Sequence, residues 1–304
     1  MDQDNRWRIH APATYRAGCA GRRLGPVTSG STRSAMIGAV PEGHTIHRLA
    51  RDQRADLSGR TVRASSPQGR FAAGADRIDG ATPLRIEAYG KHLFHHYDFG
   101  ESLHVHLGLI GRFDRGPVPP AEPVGEVRLR LEGAEHSWDL RGPMICALLS
   151  PEQVDAVTAR LGPDPLRRGA SATTFAERVL ASDRPIAALL LDQWVIAGIG
   201  NVFRAEMLFL TGIHPAKPGR SLQPQQVEEL WELARSLLRA GVRRNRIVTV
   251  HPDELDQPVS RTTRVNGTYV YHQQACRRCG STIQQLEIAG RRIDHCPRCQ
   301  PAVG

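Results

Sequence analysis

Four cysteines crowd the end of the chain: Cys276, Cys279, Cys296 and Cys299. They form two Cys-x2-Cys pairs separated by sixteen residues. Each pair suits a tight knuckle, and two knuckles can place four thiolates around one tetrahedral Zn²⁺. All four ligands come from the protein, so no coordination position stays open and the metal is expected to be structural. Such a site contributes roughly 10–16 kcal/mol of apparent binding free energy to the folding of a small module. Two redox pairs are the alternative, but no thioredoxin-like unit lies nearby. Cys19 and Cys146 stand alone. This clustering points to a metal site in a reducing compartment, since a secreted disulfide protein would spread its cysteines. Arg277, Arg278, Arg291, Arg292 and Arg298 decorate the module, as either a phosphate-facing hairpin or a solvated basic surface.

Three further places could do chemistry. Gly198-Ile199-Gly200-Asn201 opens a helical stretch, with Asn201 as the expected N-cap. Glycines let a backbone approach a ligand closely, and free N–H groups at a helix start bind anions; the same residues would also serve a plain helix–helix connection. Pro41-Glu42 reads as a helix start. Lys91 sits in Tyr89-Gly90-Lys91-His92, a hairpin turn, where lysines are usually solvated. It is nonetheless one of only two lysines among 40 basic residues, an arginine bias that reads as a GC-rich genome. The histidines at 92, 95, 96, 104 and 106 alternate with apolar residues on two strands. His104 and His106 share a face, but the spacing offers no carboxylate partner, which favours strand and polar-network roles over a metal.

The elements that must carry these residues follow from pattern. The 304 residues are 40% hydrophobic and 23% charged, which excludes a mostly disordered, collagen-like or coiled-coil chain. No apolar run approaches the ~20 residues a membrane helix needs. The net charge of +9 favours a polyanionic partner. Residues 1–40 hold six Arg against two Asp without apolar periodicity. They are read as a disordered extension, with no secretory h-region; an Arg-rich transit peptide is the alternative. Order is expected from Pro41, with Ile46, Leu49, Gln53 and Leu57 at helical spacing and Gly59 at the helix end. Short runs at 61–64, 85–88, 92–97, 103–107, 127–131 and 137–140 predict an antiparallel sandwich or barrel, with 116–123 a loop. Ser150-Pro151-Glu152-Gln153 reads as an N-cap with Pro at N1. Helices are expected at 175–181, 186–193 and 201–210, and on the stripe Val227, Leu230, Trp231, Ala234, Leu237 and Leu238. Residues 241–264 read as a polar linker. The domains are therefore 41–149, 150–263 and 264–304.

Taken together, five motifs in order resemble the bacterial Fpg/Nei family of DNA glycosylases. They are Pro41-Glu42, Gly90-Lys91, His106-Leu107-Gly108, Gly198 to Asn201, and the module ending Cys296-Pro297-Arg298-Cys299-Gln300. The resemblance spans about 41–300. It implies an α+β multidomain fold: an N-terminal antiparallel β-sandwich with an N-terminal helix, a helical helix–two-turn–helix domain and a C-terminal four-cysteine zinc finger. It implies a bifunctional glycosylase and AP lyase acting on double-stranded DNA with oxidised bases or abasic sites. Pro41 would attack the sugar C1′ as a secondary amine and Glu42 would protonate the sugar ring. Lys91 would hold a phosphate near the lesion. Asn201 and Arg291 would grip flanking phosphates, and His106 marks the strand end of the same surface. Glu206 matches a family acid near the active site. Leu109 would fill the void left by the flipped base, and Arg141 would help hold the opposite strand.

The departures refine this. The start Pro41-Glu42-Gly43-His44-Thr45 and the stretch Asp139-Leu140-Arg141-Gly142-Pro143, without an aromatic, lean toward the endonuclease VIII branch and oxidised pyrimidines. An 8-oxoguanine-directed member and a non-catalytic zinc-containing DNA-binding protein are the other readings. Within a chain the proline nitrogen is an amide and cannot form an iminium. The expectation is therefore a true start at Val40, a valine codon read by the initiator as Met and then removed, or a proteolytic cut. A cytoplasmic monomer, working at the nucleoid, completes the reading.

Overall fold

The computed structural model describes residues 41–302, apart from 256, 264 and 265. The 1–40 extension, with Cys19 and Val40, lies outside the described residues.

The first helix, α1 (Gly43–Leu57), starts two residues later than a proline at N1 would place it, with Glu42 as its N-cap residue. Its buried stripe is Ile46, Ala50, Gln53 and Leu57. Gln53 sits at a core position because His95 Nε2 donates to its Oε1 at 2.7 Å. Strands β1 (Arg63–Ser65), β2 (Pro83–Tyr89), β3 (His92–Tyr97), β4 (Ser102–His106), β5 (Arg112–Pro117), β6 (Leu129–Glu132), β7 (His136–Arg141) and β8 (Ile145–Leu149) follow, with α2 (Ala72–Ile78) between β1 and β2. They build two antiparallel four-stranded sheets, ordered β1-β6-β7-β5 and β2-β3-β4-β8. Leu93, Leu103 and Val105 of one sheet and Leu129, Leu131, Trp138 and Leu140 of the other share one core with Ile46 and Leu57 of α1. This is the expected sandwich. Its edge strands β5 and β8 are absent from the pattern reading: β5 is polar with no buried face, and β8 is an apolar run without alternation.

Helices α3 (Pro151–Thr158), α4 (Ala172–Leu180), α5 (Ile186–Leu191), α6 (Asn201–Leu210) and α7 (Pro224–Arg244) form the second domain. Ser150 is the N-cap of α3 with Pro151 at N1, as the sequence predicts, and with Gln153 it makes a reciprocal capping box. The hairpin β9 (Gln284–Ile288) and β10 (Arg291–His295) carries the last domain. The polar linker at 241–264 needs correcting: α7 runs to Arg244, and Ile247, Val248 and Val250 are buried. No helix among the described residues is long and apolar enough to cross a membrane.

Burial holds four imidazoles neutral. His44, His92 and His95 are pushed down to about 3 and His104 to about 4. The unfolded chain binds protons at these groups from about pH 6.5 downward, and the native state does not until far lower. Their stabilising effect is complete above that pH and is lost as pH falls toward 4. The melting temperature should drop steadily between pH 7 and pH 5, and His95→Gln should flatten the slope.

Candidate active site

Three glycine-bearing turns meet at the start of α1. The Gly43 N–H donates to the Gly198 carbonyl at 2.8 Å. A Cβ on Gly43 would lie 2.8 Å from the Gly198 Cα, and one on Gly90 would lie 3.0 Å from the Ala197 Cβ. The bare backbones therefore bring Pro41-Glu42, the Gly90-Lys91 turn and the start of α6 to one point.

Glu42 is wholly buried there. Its carboxyl does not cap its own helix. It reaches across to α6, where Oε2 accepts from Gly200 N–H at 2.8 Å and Oε1 from Val202 N–H at 2.9 Å. A Cβ on Gly200 would strike the carboxyl at 2.4 Å, so this residue must be glycine. Burial pushes Glu42 above the usual carboxylate range, opposed by the Lys91 charge and these N–H groups. Lys91 is pushed down by the same burial, opposed by Glu42, and further down by Arg291 and Arg204. A carboxyl with a raised pKa and a desolvated ammonium thus share one enclosure beside Pro41.

Asn201 is the first residue of α6, with Gly200 taking the N-cap position expected of Asn201. Its Oδ1 accepts from Arg204, which leaves its amide N–H groups for a ligand. Beside it lies a polar recess of about 200 Å³, lined by Asn201, His272, Gln285, Arg291 and Asp294 among others. Arg291, exposed at the start of β10, brings its charge to this recess. Lys91 lies within electrostatic reach of Arg291, which shares the recess with Asn201. His106 lies at the end of β4, where the Lys91 charge reaches it and its Nδ1 accepts from the Gly108 N–H at 3.1 Å. Leu109 is 58% exposed on the adjoining loop.

Two residues do not join this surface as expected. Glu206 is wholly buried. Its oxygens accept from Tyr269 N–H at 2.7 Å, from Val270 and Tyr271 N–H at 2.9 Å, and from the Thr249 hydroxyl. It anchors the chain entering the last domain and leaves no oxygen for DNA. It also moves the boundary placed at 263/264, because 268–271 packs on α6. Arg141 gives Nε to Asp114 at 2.8 Å, Nη2 to Asp139 at 3.3 Å and Nη1 to the Val124 carbonyl. Its guanidinium is committed within the sandwich.

Sequence reasoning missed Asp164 and Arg204. The Asp164 carboxylate accepts from His47 Nε2 and the Gly90 N–H, both at 2.7 Å, and from Leu166 N–H at 2.9 Å. It ties α1 and the Lys91 turn to the second domain. Asp164→Ala should cost about 1–3 kcal/mol of stability through the donors it orphans, seen as a lowered Tm. It should also slow cleavage of abasic DNA through a displaced Lys91. Arg204 is fully buried, donates to the Ala187 carbonyl at 3.3 Å and to the Arg292 carbonyl at 2.9 Å, and is lowered to about 10 by desolvation. Its signal was one of two charges, with Glu206, inside the mostly apolar run of α6.

The four Sγ atoms of Cys276, Cys279, Cys296 and Cys299 lie within 4.8 Å of one another, the only such cluster among the described residues. A zinc tetrahedron with bonds of about 2.3 Å sets sulfurs roughly 3.8 Å apart. The observed 3.9 Å for Cys276–Cys299 and 3.4 Å for Cys279–Cys296 fit one zinc ion. Gln300 docks the second knuckle, accepting from Cys296 N–H at 3.0 Å and donating to the Ile213 carbonyl at 2.9 Å.

Comparison with known proteins now decides the family. Residues 40–143 match the formamidopyrimidine-DNA glycosylase N-terminal domain, and 161–252 match the formamidopyrimidine-DNA glycosylase H2TH domain. Endonuclease 8 1 of Mycobacterium tuberculosis is 45% identical over 267 residues, covering 86% of this chain and all of that protein. The chain belongs to the Fpg/Nei family of DNA glycosylases. With membership goes the enzyme class, a DNA glycosylase and AP lyase of base excision repair. Formamidopyrimidine-DNA glycosylase of Synechococcus sp. is 38% identical over 211 residues, 65% of this chain and 72% of that one. Among solved structures, the Lactococcus lactis Fpg bound to AP-site DNA is 22% identical with a TM-score of 0.70, covering 86% of this chain and all of that one. The match supports the shared Fpg/Nei fold.

Proposed function

We propose that this enzyme removes oxidised pyrimidines from duplex DNA through a Schiff base on Pro41 and then cuts the strand by elimination. The observation that carries the reading is the Glu42 carboxyl, buried next to Pro41 with a raised pKa and facing Lys91. A free Pro41 nitrogen attacks C1′, and the damaged base leaves with a proton. Glu42 protonates the ring oxygen and the sugar opens. The resulting iminium joins Pro41 to C1′ and acidifies C2′; loss of that proton expels the 3′ phosphate, and water then releases Pro41. An α-amine near pKa ~7.7–8.0 is partly neutral at pH 7, unlike an ordinary lysine near ~10.4. Lys91, Asn201 and Arg291 hold the phosphates around the lesion, and Leu109 enters the vacated stack.

The chemistry needs Pro41 at a chain terminus. The family match begins at residue 40, and the full-length M. tuberculosis relative is covered while 86% of this chain takes part. Both support a start at Val40 with the initiator Met removed. The pyrimidine preference rests on the higher identity to endonuclease 8 than to formamidopyrimidine-DNA glycosylase and on the Pro41-Glu42-Gly43-His44-Thr45 start. Borohydride trapping on abasic duplex tests the nucleophile. A chain beginning Met-Pro41, with Met loss confirmed by mass, should give a covalent adduct and the 304-residue chain should not. An adduct on the intact longer chain would overturn the assignment. On a lesion panel, oxidised pyrimidines should exceed 8-oxoguanine by about tenfold or more.

A further inference from the structure

The Gly198-Ile199-Gly200 turn has no polar side chain of its own, and Gly198 takes a positive φ of 96°. Glycine backbone is free to adopt many conformations, so this one has to be imposed from outside the turn. Gln193, half-buried just after α5, grips it by two successive residues. Its Oε1 accepts from the Gly198 N–H at 3.0 Å. Its Nε2 donates to the Ile199 carbonyl at 3.0 Å and to the Leu191 carbonyl, at the end of α5, at 2.8 Å. Only one orientation of the amide serves, because the reverse would set its oxygen against two carbonyls and its N–H groups against an N–H. The Gln193 backbone is itself held, since its carbonyl accepts from the Gly162 N–H at 2.8 Å. What hangs on the turn is the Glu42 contact. The Gly198 carbonyl receives Gly43 N–H, and the Gly200 and Val202 N–H groups receive the carboxyl.

We infer that Gln193 is a positioning residue for base removal: by fixing the Gly198–Gly200 turn it aims the Glu42 carboxyl at the sugar of the damaged nucleotide. It touches no reacting atom and acts through Glu42, so the inference rests on the acid role proposed above. The expected effect is large for a residue outside the reaction, because a misplacement of about 1 Å can cost about 10²-fold in rate. It also has a signature in pH. The Gly200 and Val202 N–H groups hold the Glu42 carboxyl down against burial. If they drift, its value rises, and the loss of base removal at high pH moves to higher pH. The charges acting on Glu42 are Lys91, from the turn between β2 and β3, and Arg204, from α6; both remain when Gln193 is replaced.

The test is a double-mutant cycle on the chain beginning at Pro41, read as single-turnover release of dihydrouracil from duplex DNA. Gln193→Met keeps the reach of the side chain and removes all three hydrogen bonds. Base removal should fall roughly 10–100-fold, and its high-pH limb should move upward. Trapping on abasic duplex, which needs no acid for base loss, should fall no more than about threefold. In a Glu42→Gln background the same change should cost no more than about threefold, because the group it aims is already lost. Gln193→Glu covers a Met variant that does not fold. Its carboxylate still accepts from Gly198 N–H but has no proton for the two carbonyls, so its rate relative to wild type should recover as pH falls and a donor returns. Losses that add in the cycle, or equal losses on damaged and abasic duplex, would make Gln193 a fold-holding residue and overturn the inference. So would wild-type rates in Gln193→Met, or a Gln193→Glu ratio that stays flat with pH. If Glu42→Gln itself leaves base removal intact, the proposed acid role fails too, and the cycle separates the two failures.

Discussion

Glu42→Gln should lower base removal by about 10²–10⁴-fold, the range for loss of a positioned general acid. The substitution keeps size, but its single amide oxygen can accept from only one of the Gly200 and Val202 N–H groups, so the contact with α6 is weakened on one side. What it loses is the proton delivered to the sugar. An abasic site has no base to expel and already opens to an aldehyde, so trapping on it should suffer far less. That split identifies the role: a merely structural Glu42 would lower both reactions and the Tm together. The wild-type rate of base removal should also fall as pH rises through the raised carboxyl value, because the acid form is the active one. The Gln variant should lack this alkaline limb. Equal losses on damaged and abasic DNA would remove Glu42 from the acid role.

Stripping zinc should have the other large effect. One metal ion per chain is expected on elemental analysis, and a strong chelator should release it with unfolding of the terminal hairpin. Cys296→Ser should do the same, because three ligands leave a site of much weaker affinity. Arg291 and the polar recess beside Asn201 depend on that hairpin, so abasic-duplex affinity should fall about 100-fold or more. The dependence of binding on salt should become shallower as phosphate contacts are lost. The sandwich and α-helical domain keep their own cores, and most of the far-ultraviolet dichroism should survive. Full affinity in a verified metal-free protein would refute this.

Much of this was legible in the residues. The cysteine spacing located the last domain because metal geometry leaves little freedom. Strand β3 was read to its observed ends because His92–Tyr97 alternates between faces. Lys91, Asn201 and Arg291 were singled out by family resemblance; Arg291 lies within electrostatic reach of Lys91 and shares a recess with Asn201. The failures share a cause. Asp164, Arg204, Glu206 and Arg141 owe their roles to partners 2 to 117 residues away, and pattern along the chain does not report such partners. Edge strand β5 was missed because nothing on it is buried enough to write an alternation.

Helix α6 has one more implication. Its first turn receives the Glu42 carboxyl, its Arg204 holds the Arg292 carbonyl and its Glu206 holds three successive amides of 269–271. The Glu42 carboxyl and the Arg291-bearing hairpin are thus both braced against a single helix ten residues long. Any drift of the terminal hairpin along the duplex would be transmitted to the acid as well. On the proposed roles, the groups that grip the duplex and the group that delivers the proton are kept in alignment by the same ten residues, with no tolerance to be shared between separate mounts.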